Sequence, residues 1–148
     1  MHLTLHTDYA LRVLMYLGLR EDGLASIREI AEAYGISENH LTKVVHGLGR
    51  AGFIETLRGR GGGLRLAMPP DAIRIGAVVR RTEDDMALVA CFSQGGHCSI
   101  AGPCLLRPLL REALDAFLAV LDRVSLAELI GPRRAAIAEA LGLGAPPP

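Results

Sequence analysis

With 148 residues, half of them apolar and only 4% aromatic, the chain has the size of one domain, or of a small domain with an appended helical piece, and an aliphatic core. Sixteen basic residues balance sixteen acidic ones, so net charge alone argues for no partner. No segment approaches the roughly 20 apolar residues of a membrane helix, no signal peptide is visible, and three cysteines are an odd number that argues against a disulfide framework. A soluble, cytoplasmic protein with no membrane partner is expected.

The first predicted element is a helix from Leu3 to Leu19, apolar except for a stripe of Asp8, Arg12 and Arg20, and ended by Gly23. Ser26-Ile27-Arg28-Glu29 is a capping box and opens a second helix, carrying Ile27, Ile30, Ala31 and Tyr34 and closed by Gly35. Ser37 is placed to cap a third helix running to about Ala51, with Leu41, Val44, Val45 and Leu48 inward. Two short helices joined through glycine have the spacing of a helix-turn-helix.

Two β-prone segments follow, Phe53–Leu57 and Leu64–Ala67, joined by Arg58-Gly59-Arg60-Gly61-Gly62-Gly63. This is a hairpin with a flexible basic tip, and a hairpin in that place makes a winged helix. The window from His40 to Arg65 holds Lys43, Arg50, Arg58, Arg60 and Arg65 against a single acid, Glu55. On the third helix the outward positions Asn39, His40 and Thr42 suit base edges or phosphates, and Lys43, His46 and Arg50 complete the polar face. Arg58, Arg60 and Arg65 on the wing suit a minor groove or a backbone. Either feature alone is explained by ordinary solvated surface; together they point to double-stranded DNA.

Pro69-Pro70 punctuates the chain, and Ile73 to Arg81 reads as a short helix. Next come the only cysteines, Cys91, Cys98 and Cys104, separated by six and five residues rich in glycine. Three thiols in one loop suit a metal or an iron–sulfur cluster, one ligand short of four. Three alternatives stand beside that reading: unrelated buried thiols, zinc completed by His97, and a redox thiol switch. A nucleophile–base pair of Cys98 and His97 is disfavoured because adjacent side chains in such a loop seldom face one another, so no enzyme is expected.

Leu105 to Asp122 is a strong helix about 27 Å long. Its apolar band is too wide for one small domain to cover, which predicts a second copy as partner. Ser125-Leu126-Ala127-Glu128 is another capping box, and Pro132 suits the first turn of a last helix ending near Leu141.

These features resemble the winged-helix iron–sulfur transcription regulators of the NsrR/IscR type. The likeness rests on Leu3-Thr4, Asp8-Tyr9-Ala10-Leu11-Arg12, Ile30-Ala31, Leu41 to Leu48, the arginine–glycine wing, the three-cysteine loop and the long helix after Cys104. The resemblance implies a mainly α fold. It has a winged helix-turn-helix DNA-binding region over 1–82 (wing 53–67), a cluster-binding loop over 83–104, a dimerisation helix with C-terminal helices over 105–142, and a disordered tail over 143–148. It implies a homodimer on a roughly palindromic operator, acting as a repressor. IscR-like members place a histidine three residues after the third cysteine, where this chain has Arg107, which cannot ligate. NsrR-like members complete a 4Fe–4S cluster with an aspartate near the N-terminus of the other subunit, which Asp8 matches, and nitric oxide is their effector. The resemblance thus implies Cys91, Cys98, Cys104 and the partner subunit's Asp8 as ligands, with Arg12 orienting Asp8. A 2Fe–2S sensor of iron–sulfur or redox status and a zinc-stabilised module without sensing are the alternatives. Asp8 and Arg12 are also accounted for by a plain surface ion pair four residues apart.

Overall fold

The computed structural model describes residues 2–20 and 23–144. The first helix, α1 (Leu5–Leu19), buries Ala10, Val13, Leu14 and Leu17. It starts two residues later than its apolar pattern predicts, because the Thr4 hydroxyl accepts from Thr7 N at 3.3 Å and caps it. In α2 (Ile27–Tyr34) the capping box forms as expected: Ser26 Oγ accepts from Glu29 N at 3.2 Å, and Glu29 Oε2 accepts from Ser26 N at 2.7 Å. Gly35 ends α2 in the left-handed region, φ +64°, where a side chain would be strained. In α3 (Glu38–Arg50) Leu41, Val44, Val45 and Leu48 point inward. Ser37 holds the capping position there, but its side chain makes no capping bond.

The wing is an antiparallel pair, β1 (Ile54–Leu57) and β2 (Gly63–Leu66), in register Ile54↔Leu66 and Glu55↔Arg65. Its other edge is paired as well. Ala25 N donates to Leu64 O at 3.0 Å and Leu64 N to Ala25 O at 2.7 Å, so the wing is tied to the entrance of the helix-turn-helix.

After a 3-10 turn at Pro70–Ala72, α4 spans Ile75–Thr82. Ile73 is excluded from it because its carbonyl accepts from Leu126 N at 2.8 Å, and Ile75 N donates to Val124 O at 3.0 Å. The long helix α5 (Leu106–Asp122) leads outward, and the chain then turns back through α6 (Leu126–Ile130) and α7 (Arg134–Ala140). The Ser125–Glu128 capping box is present at α6. Pro132 lies in a 3-10 turn, Gly131–Arg133, ahead of α7 rather than inside it.

The main core joins α1, α2, α3, the wing, α4 and α6. Leu126 and Ile130 are buried in it, with Ile130 packed against Gly18 of α1. Arg134 then donates to the last carbonyls of α1, Gly18 O at 2.9 Å and Leu19 O at 3.0 Å, supplying partners that the helix end lacks. Leu143 also packs on this core and its N–H donates to Ala138 O at 2.8 Å; of the tail expected from 143 onward, residues 145–148 lie outside the described residues.

A second, smaller cluster of Val79, Leu114 and Leu118 seats α5 on α4. At this junction a Cβ on Gly76 would overlap the Asp122 carboxylate, so a side chain there would have to push that carboxylate aside. Arg80 closes it with a two-pronged pair to Asp122, Nη1–Oδ1 2.5 Å and Nη2–Oδ2 2.7 Å. Among the described residues no helix is long and apolar enough to cross a membrane.

Candidate metal centre and nucleic-acid interface

The polar face predicted on α3 is exposed throughout: Asn39, His40, Thr42, Lys43, His46 and Arg50 all reach solvent. The Thr42 hydroxyl donates to Glu38 O at 2.8 Å, which leaves its lone pairs outward. His40 meets the ring of Tyr9 on α1, centroids 6.4 Å apart. Behind the face, His6 of α1 lies against Gly47, where an added Cβ would be 3.3 Å from Nε2, so α1 and α3 approach closely.

At the wing tip Arg58 and Arg60 are exposed, and neither has an ion-pair partner among the described residues. Arg65 differs. The strand register sets it opposite Glu55, and its Nε lies 2.5 Å from Glu55 Oε1. One of the three expected wing cations is therefore already neutralised, by the single acid in the basic window.

The three cysteines are free and half-buried. Cys91 sits in a short 3-10 turn, Ala90–Phe92, at the start of the loop, and Cys104 just before α5. The loop doubles back on itself between Cys91 and Cys98. Gly95 takes φ +79°, and a Cβ on Gly96 would overlap the Ala90 carbonyl and lie 3.1 Å from Cys91 Cα. Glycine is thus required for the return pass to touch the Cys91 backbone. Ala101 N donates to Cys98 O at 3.1 Å, making a second turn. Arg111 of α5 covers the Phe92 ring at 4.2 Å and pins the loop to the long helix.

Asp8 stands in the first turn of α1, nearly half exposed. Arg12 grips its carboxylate with two N–H groups, Nη2–Oδ2 2.9 Å and Nε–Oδ1 3.2 Å. One residue earlier, buried Thr7 donates to Thr82 Oγ1 at 2.9 Å, and Glu83 accepts from Thr4 N at 2.7 Å and Thr4 Oγ1 at 3.0 Å. Burial alone would raise the Glu83 carboxyl, but the nearby Thr7 hydroxyl and the two hydrogen bonds from Thr4 outweigh it and hold it below the ordinary glutamate range. These bonds lock the start of α1 to the point where the chain leaves α4 for the cysteine loop. Among the described residues no three His, Cys, Asp or Glu side chains are gathered closely enough to hold a metal ion by themselves. Arg107 and His97 are both exposed.

Comparison with known proteins places this architecture. The model of the Rrf2 family, described as iron-dependent transcriptional regulators, matches residues 3–132. The chain belongs to the Rrf2 family. The HTH-type transcriptional regulator NsrR of Bacillus subtilis (strain 168) is 52% identical over 132 residues, covering 88% of this chain and 90% of that one. NsrR of Geobacillus kaustophilus is 53% identical over 135 residues, 90% and 92% of the two chains. Among solved structures, the global cysteine regulator CymR of B. subtilis superposes with a TM-score of 0.74 at 28% identity over 89% of this chain and 98% of its own. IscR of T. potens shares the fold, with a TM-score of 0.72 at 23% identity over 89% and 88%. This Rrf2 chain is a winged-helix, DNA-binding transcription regulator, and its family is one of iron-dependent regulators.

Several residues in these arrangements had no local signal in the sequence. The Phe92–Arg111 stack and the Thr7–Thr82 bond join residues far apart in the chain. Gly96 reads only as one more loop glycine until its contact with Cys91 is seen.

Proposed function

We propose that this Rrf2 chain is a dimeric repressor that binds a roughly palindromic DNA operator and releases it on exposure to nitric oxide. Its sensor would be a 4Fe–4S cluster held by Cys91, Cys98 and Cys104 with Asp8 of the partner subunit. The observation that carries this reading is the donor set: three free, half-buried thiols in a glycine-folded loop, and one acid held ready by a two-pronged arginine. The set fits such a cluster in chemistry, since thiolates suit iron and a carboxylate can complete the fourth position. The relatives named NsrR, at about half identity over most of the chain, and the family's iron dependence favour iron over zinc. Arg107, where a histidine would be needed, argues against the 2Fe–2S pattern.

When bound, the cluster supplies iron sites open to attack by nitric oxide. The chain does the rest. Asp8 would be the one hard ligand among soft ones, and so the weakest hold on the cluster. Arg12 would keep the free carboxylate in the fork seen here. Without Asp8 as a ligand, each protomer's loop and its partner's α1 would not be joined, and the two α3 helices would not be held at the spacing of about 34 Å that adjacent half-sites require. Asn39, His40, Thr42 and His46 would meet base edges or phosphates, while Lys43, Arg50, Arg58 and Arg60 would meet phosphates; Arg65 would add less, being paired with Glu55.

The test compares operator binding by anaerobically loaded, nitric-oxide-treated and cluster-free protein in one buffer. Loaded protein is expected to bind at least about 100-fold more tightly than the other two, a coupling of about 3 kcal/mol. Equal affinities, or absence of iron from freshly purified anaerobic protein, would refute the reading.

A further inference from the structure

Arg12 has a second contact that the Asp8 pair does not explain. Its guanidinium gives one edge, Nε and Nη2, to Asp8, while its Cζ stands over the ring of Tyr34, 5.7 Å from the centroid. The guanidinium is one rigid plane, so a change at the edge moves the group that stands over the ring. Tyr34 is the last residue of α2, directly before left-handed Gly35 and the turn into α3. Its ring also meets that of Tyr16, centroids 6.4 Å apart and tilted by 59°, and Tyr16 is buried in the main core. Tyr34 thus has a close-packed core neighbour on one hand and the turn into α3 on the other, and the turn is the part that can yield. Next to Asp8, Tyr9 independently meets His40 on α3. The side of α1 that bears Asp8 thus touches both helices of the DNA-reading unit.

We infer that Tyr34 is a positioning residue that carries the state of Asp8, through the Arg12 guanidinium above its ring, to the turn between α2 and α3. The inference rests on the ligand role proposed for Asp8. With both carboxylate oxygens free, Arg12 keeps two prongs and lies on Tyr34 as seen here. Were one oxygen to serve as a ligand, the fork would keep one prong, and the guanidinium would be free to turn from its place over the ring. An exposed arginine–aspartate pair is worth little by itself. The ring is what joins this one to the helices that read DNA.

The experiment uses the full-length dimer, cluster-free and anaerobically reconstituted with iron and sulfide, and reads the ratio of operator affinities in the two states. Tyr34→Phe keeps the ring and is expected to keep the wild-type ratio. Tyr34→Leu is expected to cut the ratio about tenfold with iron content and visible spectrum unchanged, and Arg12→Lys, which keeps a charge near Asp8 but has no planar group to set over the ring, is expected to cut the ratio by a similar factor. A cluster-independent readout accompanies these. In cluster-free protein, Asp8→Ala should speed amide exchange at Gly35, Ile36 and Ser37, and should have no such effect in a Tyr34→Leu background. A wild-type ratio in both Tyr34→Leu and Arg12→Lys, or additive exchange in the double variant, overturns the inference and leaves the sensing reading intact. Equal affinities of loaded and cluster-free wild-type protein overturn both.

Discussion

In the helix-turn-helix body, Leu14, Leu41, Leu48 and Leu126 are wholly withdrawn from water; at the start of α5, Leu105, Leu106 and Leu109 keep 84%, 58% and 60% of their surface exposed. The body's helices begin at side-chain caps on α1, α2 and α6, and Arg134 finishes the end of α1. On α5 no side chain caps the start, and only Leu114 and Leu118 are buried. Burying one leucine fully is worth about 1.5–3 kcal/mol, so the three at the start of α5 leave several kcal/mol unrealised in a lone protomer. The body is complete as it stands. The arm leaves its leucines uncovered in the protomer, and they sit directly after Cys104, so in the proposed dimer the surface that covers them would also frame the cysteine loop.

Paired truncations test this contrast most severely. Leu126→Ala should cost about 2–5 kcal/mol by chemical denaturation, because it empties a site in the main core between α1 and α6. Leu109→Ala should act differently: a loss of stability that grows as the protein is diluted, with a shift toward monomer in sedimentation. If Leu109→Ala destabilises equally at every concentration, the arm is not an interface and the contrast fails.

How far each region was legible from sequence follows the same division. In the body, α2, its capping box, the inward residues of α3 and the wing were readable because their signals are local: Ser26 and Glu29 are three apart, and Leu41, Val44, Val45 and Leu48 repeat at helical spacing. The outward polar residues of α3 were readable as the complement of that pattern. Features set by distant partners were not. Ala25 pairing with Leu64, the return of α6 to Gly18, and the clamp of Arg134 on α1 join residues up to 116 positions apart. The late start of α4 has the same origin, since Leu126 claims the Ile73 carbonyl. Ser37 shows the converse, a favourable capping residue whose hydroxyl is left unused. The cysteines announced themselves by clustering. The folding of their loop depended on Gly96 meeting the Ala90 and Cys91 backbone, which composition does not reveal.

Within the body, the wing offers a finer contrast between free and neutralised cations. Replacing Arg58 and Arg60 together by alanine should flatten the dependence of log affinity on log salt by up to about 2 per protomer and weaken binding to all sequences alike. Arg65→Ala should change that slope by less than about 1, because Glu55 already compensates its charge. Glu55→Ala should then strengthen DNA binding by freeing Arg65. A slope change from Arg65→Ala as large as from Arg58 or Arg60 would show that Arg65 leaves Glu55 for a phosphate when DNA is present.

The smallest effect lies at the joint between body and arm. The hydrogen bonds from Arg80 hold the Asp122 carboxyl below its ordinary range, against a minor opposing effect of burial. A carboxyl depressed in the folded state binds its proton less readily there than in the unfolded chain, so the pair's contribution is present above the unfolded pKa and disappears as pH falls through the folded one. Arg80→Ala should therefore lower the melting temperature at neutral pH by a small amount that added salt reduces. The gap to the unsubstituted protein should narrow as pH drops below about 4, where free aspartate begins to protonate. Should the gap persist undiminished in acid, the Asp122 charge would not be what Arg80 contributes, and the joint would be held by the apolar contact of Val79 with Leu114 and Leu118 rather than by charge.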